Sequence, residues 1–154
     1  EDIFLLILMQ EIRQMVADAE VSFTAPIDDL DAFCQKWAAM LLRHERLLSI
    51  FSITNTIILA GASDEQHKEF RQQMHVDYCR LAAVARVALP QLDAEQAILF
   101  INLENSFALV LYPASCEYKK ANNITIFYEI GYGTREFIPQ FVAYLKVVLA
   151  GLLT

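Results

Sequence analysis

Apolar residues recur at three- and four-residue spacing through almost all of this chain, and that period commits it to helices before anything else about it is known. Residues so spaced fall on one face of a helix, where they can be buried together. From about Asp2 to Ser22 the stripe is Leu5, Leu8, Met9, Ile12, Met15, Val16 and Ala19. The reverse face reads Ile3, Leu6 and Ile7, and only then Gln10, Arg13 and Gln14, so the first two turns are apolar all round. Either a neighbouring helix or something outside this sequence should cover them.

Five further segments follow. Pro26 with Asp28, Asp29 and Asp31 opens a second helix, because proline and carboxylates suit a first turn whose amides are unpaired. Glu45 to Ala60 is apolar on every side apart from small hydroxyl residues and Asn55, which predicts a central buried helix closed by Gly61; its β-branched content allows a strand, but the only other strand-like stretch is far away in sequence and leaves no neighbour for a hairpin. Ser63 and Gln66 form a capping box that starts a fourth helix, with Phe70, Met74, Tyr78, Leu81, Ala85 and Ala88 on one face, ending at Pro90. Asp93 caps a fifth, expected to stop at Tyr112 before Pro113, with Phe100, Leu103, Phe107 and Leu111 on one side and Ile98 and Leu109 on the other. Ala114 to Gly133 reads as an irregular connection with a helical turn or two. A last helix, starting between Thr134 and Pro139, carries Ile138, Phe141, Val142, Leu145, Val148, Leu149 and Leu152 in a continuous stripe of interface spacing. No repeat, low-complexity tract or linker divides the chain, so residues 1–154 read as one all-α domain of about six helices.

Composition narrows the function. Apolar residues make up 56% of the chain and mean hydropathy is +0.34, so some apolar surface should meet a partner. The longest apolar stretches, Ile3 to Met9 and Phe107 to Tyr112, fall short of the roughly 20 residues a bilayer requires, which predicts no membrane span. A net charge of −7 with scattered basic residues leaves no footprint for phosphates, so this piece should not hold DNA by itself. Cys34, Cys79 and Cys116 are widely separated and odd in number, which points to free thiols and a cytoplasmic location. An acidic start without an initiator Met is neither a signal peptide nor a natural beginning, and predicts a fragment.

The Glu1-Asp2-Ile3-Phe4 start leading into an amphipathic helix resembles the junction between the helix-turn-helix domain and the connecting helix in TetR-like transcriptional regulators. The closing Leu149-Ala150-Gly151-Leu152-Leu153 is similar to the Gly-Leu finish of the same family. The resemblance implies a ligand-binding and dimerisation domain whose DNA-binding domain is absent from this sequence. It implies that the fifth and last helices pair with their copies as a four-helix bundle through Phe100, Leu103, Phe107, Leu111, Ile138, Phe141, Leu145, Val148, Leu149 and Leu152. It further implies an effector pocket among the first, second, fourth and fifth helices, and DNA contact only through the absent domain. Ligand-driven tilting of that domain would spoil its spacing on the operator. The Ala114 to Gly133 connection departs from the family pattern.

Candidate effector contacts follow from residue type. Trp37, Met40, Phe70, Met74 and Tyr78 can form an adaptable aromatic and methionine wall for a largely apolar small molecule, or simply a core. Asn102, Asn105 and Ser106 need partners on a helix buried on two sides, supplied by a ligand, the core or a second subunit. His44, His67 and His75 lack metal-ligand spacing and read as surface residues, so neither metal nor cofactor is expected. No G-x-S-x-G, phosphate loop or Cys-His-Asp grouping supports an enzyme, and four glycines leave little material for active-site turns. The competing class is a helical adaptor that offers the Ile3, Leu6, Ile7 face to another protein and binds no small molecule.

Overall fold

The computed structural model describes residues 2–54, 59–120 and 136–154, and among them finds six α-helices: α1 (Asp2–Ser22), α2 (Leu30–Leu42), α3 (Glu45–Phe51), α4 (Asp64–Ala88), α5 (Ala94–Lys120) and α6 (Phe137–Leu152). The all-α expectation holds, and α1 has the predicted bounds. Helix starts follow their caps. Ser63 Oγ accepts from Gln66 N at 3.3 Å while Ser63 N donates to Gln66 Oε1 at 2.7 Å. Asp93 and Gln96 close the same reciprocal pair at 2.9 and 2.8 Å ahead of α5. Asp29 caps α2 by accepting from Asp31 N, so Pro26 lies ahead of the cap instead of in the first turn.

Two boundaries correct the sequence reading. The third helix stops at Phe51 instead of running on unbroken to Ala60: Ser52 and Ile53 form a turn, Thr54 is π-helical, residues 55–58 lie outside the described residues, and a 3-10 turn occupies Leu59–Gly61. The hydroxyls that looked innocuous explain the stop. Ser49, Ser52 and Thr54 each donate back to a main-chain carbonyl, of Glu45, Ser49 and Ile50, and so compete with the helical ladder. In the opposite direction, α5 runs through Pro113 to Lys120. Pro113 cannot donate to the carbonyl four residues back, but Leu111, Tyr112 and Ser115 are buried around it, and their packing holds the helix together. Residues 121–135, including the rest of the expected irregular connection, lie outside the described residues.

Packing closes a circuit: α1 lies on α4, α4 on α5, α5 on α6, α6 on α2 and α2 on α1, with α3 against α1, α2 and α5. Along the α5–α6 seam Gln96 meets Leu152, Leu103 meets Tyr144 and Tyr112 meets Phe137, so these two helices are antiparallel. Trp37 sits inside the circuit, with ring centroids 5.1 Å from Phe23, 5.4 Å from Phe33 and 5.5 Å from Phe100. Ion pairs fasten the outside. Arg80 binds Glu20 through two guanidinium nitrogens, Nε and Nη2, and ties α4 to α1, while Arg43 and His44 converge on Asp18. The Arg43 hydrogen bonds, helped by His44 and Ser22, hold the Asp18 carboxyl down at about 2.

Ala94–Cys116 within α5 is long and apolar enough to cross a membrane by length and composition, contrary to the count of uninterrupted apolar residues. Here its inner side, with Phe100, Ile101, Ala108 and Leu111, belongs to the core.

Leu145 is fully enclosed within the single chain, whereas Val147, two residues on, is 73% exposed. Leu145→Ala should therefore cost about 2–5 kcal/mol in urea unfolding, while Val147→Ala in the isolated chain stays within about 0.5 kcal/mol. Equal losses at the two positions would contradict this orientation of α6.

Candidate functional site

Inside the circuit α5 carries a carboxyl group, Glu104, that is wholly buried. Neither of its oxygens has a hydrogen-bond partner among the described residues, and the same is true of the Trp37 indole N–H and the Asn105 side-chain Nδ2. Burial is the dominant influence on Glu104 and raises its pKa from 4.5 to about 8; the nearby Trp37 N–H pulls weakly the other way. Glu104 is thus mostly a neutral acid at pH 7. It also acts on two tyrosines from other helices. Burial first and the Glu104 charge second push the hydroxyls of Tyr78 on α4 and Tyr144 on α6 upward. The Tyr144 hydroxyl donates to the Leu103 carbonyl at 3.2 Å, and its ring stacks on Phe107 with centroids 4.0 Å apart. An acid and an indole, with two tyrosines within electrostatic reach, are thereby gathered from α2, α4, α5 and α6.

Glu104 is not among the effector contacts expected from residue type. Its signal was present: between Gln96 and Glu117 it is the only ionisable side chain apart from Tyr112 and Cys116, on a helix apolar on both sides. Of the expected effector contacts, Trp37, Met40 and Asn105 are buried and Met74 and Tyr78 half-buried. Phe70 lines a separate small cleft between α1 and α4 with Leu5, Leu6 and Met9. Asn102 and Ser106 face outward, where Ser106 Oγ donates to the Asn102 carbonyl at 2.8 Å. The eight residues do not converge on one place.

The residues expected between subunits divide similarly. Phe100, Leu111, Phe141, Leu145 and Leu149 are enclosed in the core of one chain and have no surface to offer a partner, whereas Leu103, Phe107, Ile138, Val148 and Leu152 are half-buried. The exposed stripe of α5 instead runs through Leu99, Asn102, Ser106, Val110 and Pro113, and that of α6 through Ala143, Val147, Ala150 and Gly151. In an antiparallel pair with this seam, helical geometry puts both stripes on the same side. Val110 is 72% exposed there, and nothing stands within 4 Å of where a Gly151 Cβ would be.

The buried acid makes a signed prediction. Between about 4.5 and 8 the native chain keeps the Glu104 proton while the unfolded chain gives it up, so stability falls as pH rises through that window. Glu104→Gln should remove the fall and gain on the order of a few kcal/mol over the unmutated protein at pH 8. Chemical unfolding from pH 5 to 8 measures it; parallel profiles for the two proteins would show that the acid is not held neutral.

No curated protein matches this sequence. The sequence model of the family described as the tetracyclin repressor-like C-terminal domain matches residues 9–154, nearly the whole chain and all but the first turns of α1. The chain therefore belongs to the TetR-like C-terminal domain family.

Proposed function

We propose that this chain is the effector-sensing and homodimerising part of a cytoplasmic transcriptional regulator, acting by binding and not by catalysis. The observation that carries the reading is that α5 holds an unpartnered acid in the interior and, outside, an uncovered stripe on which Leu99 and Val110 flank Asn102 and Ser106. A buried polar group without a partner costs about 1–3 kcal/mol, an expense that makes sense where a ligand supplies the partner. The stripe on α5 and α6 supports a four-helix bundle with a second copy, through Leu99, Val110 and Val147 with the half-buried Leu103, Phe107 and Val148 at its margins.

Movement at Glu104 would pass to α4, and from α4 to α1, which packs against it. The start of α1 exposes Ile3 (69%), Phe4 and Leu6 (61%), a surface suited to carrying a DNA-binding domain whose spacing on an operator a small tilt would spoil. That same surface favours the second reading, a helical adaptor that docks another protein there and takes no small molecule.

Light scattering on the purified chain should give a dimer, and Val147→Asp or Val110→Asp should give folded monomers with unchanged helical circular dichroism. A monomeric unmutated chain would end the dimer assignment. A thermal-shift screen separates regulator from adaptor, since a ligand bound by the folded state raises the melting temperature progressively with its concentration.

A further inference from the structure

Resting on the reading of the interior as an effector site, we infer that the effector joins a positively charged nitrogen head to a flat apolar body, and that Glu104 receives the head. Both Glu104 oxygens are buried and unpartnered among the described residues, and no lysine, arginine or histidine there neutralises them. The aromatic groups within its influence, Trp37, Tyr78 and Tyr144, belong to three different helices. Aromatic faces attract cations, most strongly where water is excluded. A purely hydrocarbon ligand would leave the carboxyl as it is. An anionic head would meet an acid inside a chain of net charge −7. An ammonium or amidinium group is the head that gives a carboxylate the donors it lacks. The indole N–H of Trp37, which lies beside the same carboxyl, can donate to it once it is ionised and hold its orientation.

Charge and protons balance in a way that can be measured. Below pH 8 the free protein keeps the Glu104 proton; on binding, the cation takes its place, and one proton passes to solvent for each ligand bound. The groups facing Glu104 cannot supply that proton, because Trp37 does not titrate in this range and both tyrosines are pushed above their ordinary value of 10. Asp77, buried on α4, is already held by Gln73 and Arg80.

Calorimetric titration of the chain with phenylbutylamine and with phenylbutanol tests this, run at several pH values and in two buffers of different ionisation enthalpy. The ammonium stays charged throughout. The amine should bind at least about tenfold more tightly than the alcohol at pH 8, gain close to tenfold per pH unit between 6 and 7.5, and release about one proton. Glu104→Gln, which should fold at least as stably, should abolish the preference, the pH slope and the proton release together; its melting curve checks the fold. If amine and alcohol bind alike, or the preference survives in Glu104→Gln, the interior remains a ligand site but the cationic head is wrong. If neither compound binds at millimolar concentration, the effector-site reading falls as well.

Discussion

One helix, α5, has to satisfy α3, α4 and α6 at once, and the rest of the domain is arranged around that demand. Its inner side supplies Phe100 to the aromatic group around Trp37, and its flank supplies Phe107 to the stack with Tyr144 and Phe141. A helix so engaged cannot rotate to hide its outer stripe without breaking the core. Val110 and Leu99 are thus left in the open by the same packing that buries Ile101 and Ala108. Pro113 fits the same account: the burial of Leu111, Tyr112 and Ser115 around it outweighs the lost hydrogen bond, and the helix continues.

At Glu104, a carboxyl group buried with neither oxygen partnered among the described residues, this arrangement works against the stability of the isolated domain. Replacing it with a hydrocarbon of like volume would relieve the core, as it does for many buried ionic groups. A neutral acid among aromatic rings is tolerable at pH 7 because the proton stays on. Its position on the helix that also bears the outer stripe places the proposed ligand contact and the proposed subunit contact on opposite sides of one rigid element. A change on the inside can then reach the outside without a relay of loops. The ion pairs of Arg80 with Glu20 and of Arg43 with Asp18 fasten α1 to its neighbours, so displacement of α4 is felt along α1.

Much of the fold was legible from residue order because helix starts are local events. Ser63 with Gln66 and Asp93 with Gln96 settle their caps within four residues, and the one-sided part of α1 has a single face to bury. Ends were less legible. The third helix gave way to local hydroxyl groups that bond the backbone three or four residues back, a competition that period alone does not weigh, and the fifth passed its proline because of packing from other helices. The candidate site was legible only in part. Trp37, Tyr78 and Asn105 were picked out by residue type, but Asn102 and Ser106 turned outward and Glu104 went unnoticed.

The order of residues by itself determined the helical class, the main caps, the family resemblance and the surplus of apolar surface on the fifth and last helices, because each follows from period or from near neighbours. Which apolar face of those two helices became core was decided by tertiary structure alone. When both sides of a helix are greasy, periodicity offers no preference, and only the positions of α2, α3 and α4 choose the side that loses its water. That choice enclosed Phe100, Phe141, Leu145 and Leu149, left Val110 and Val147 outside, and sealed Glu104 in the interior.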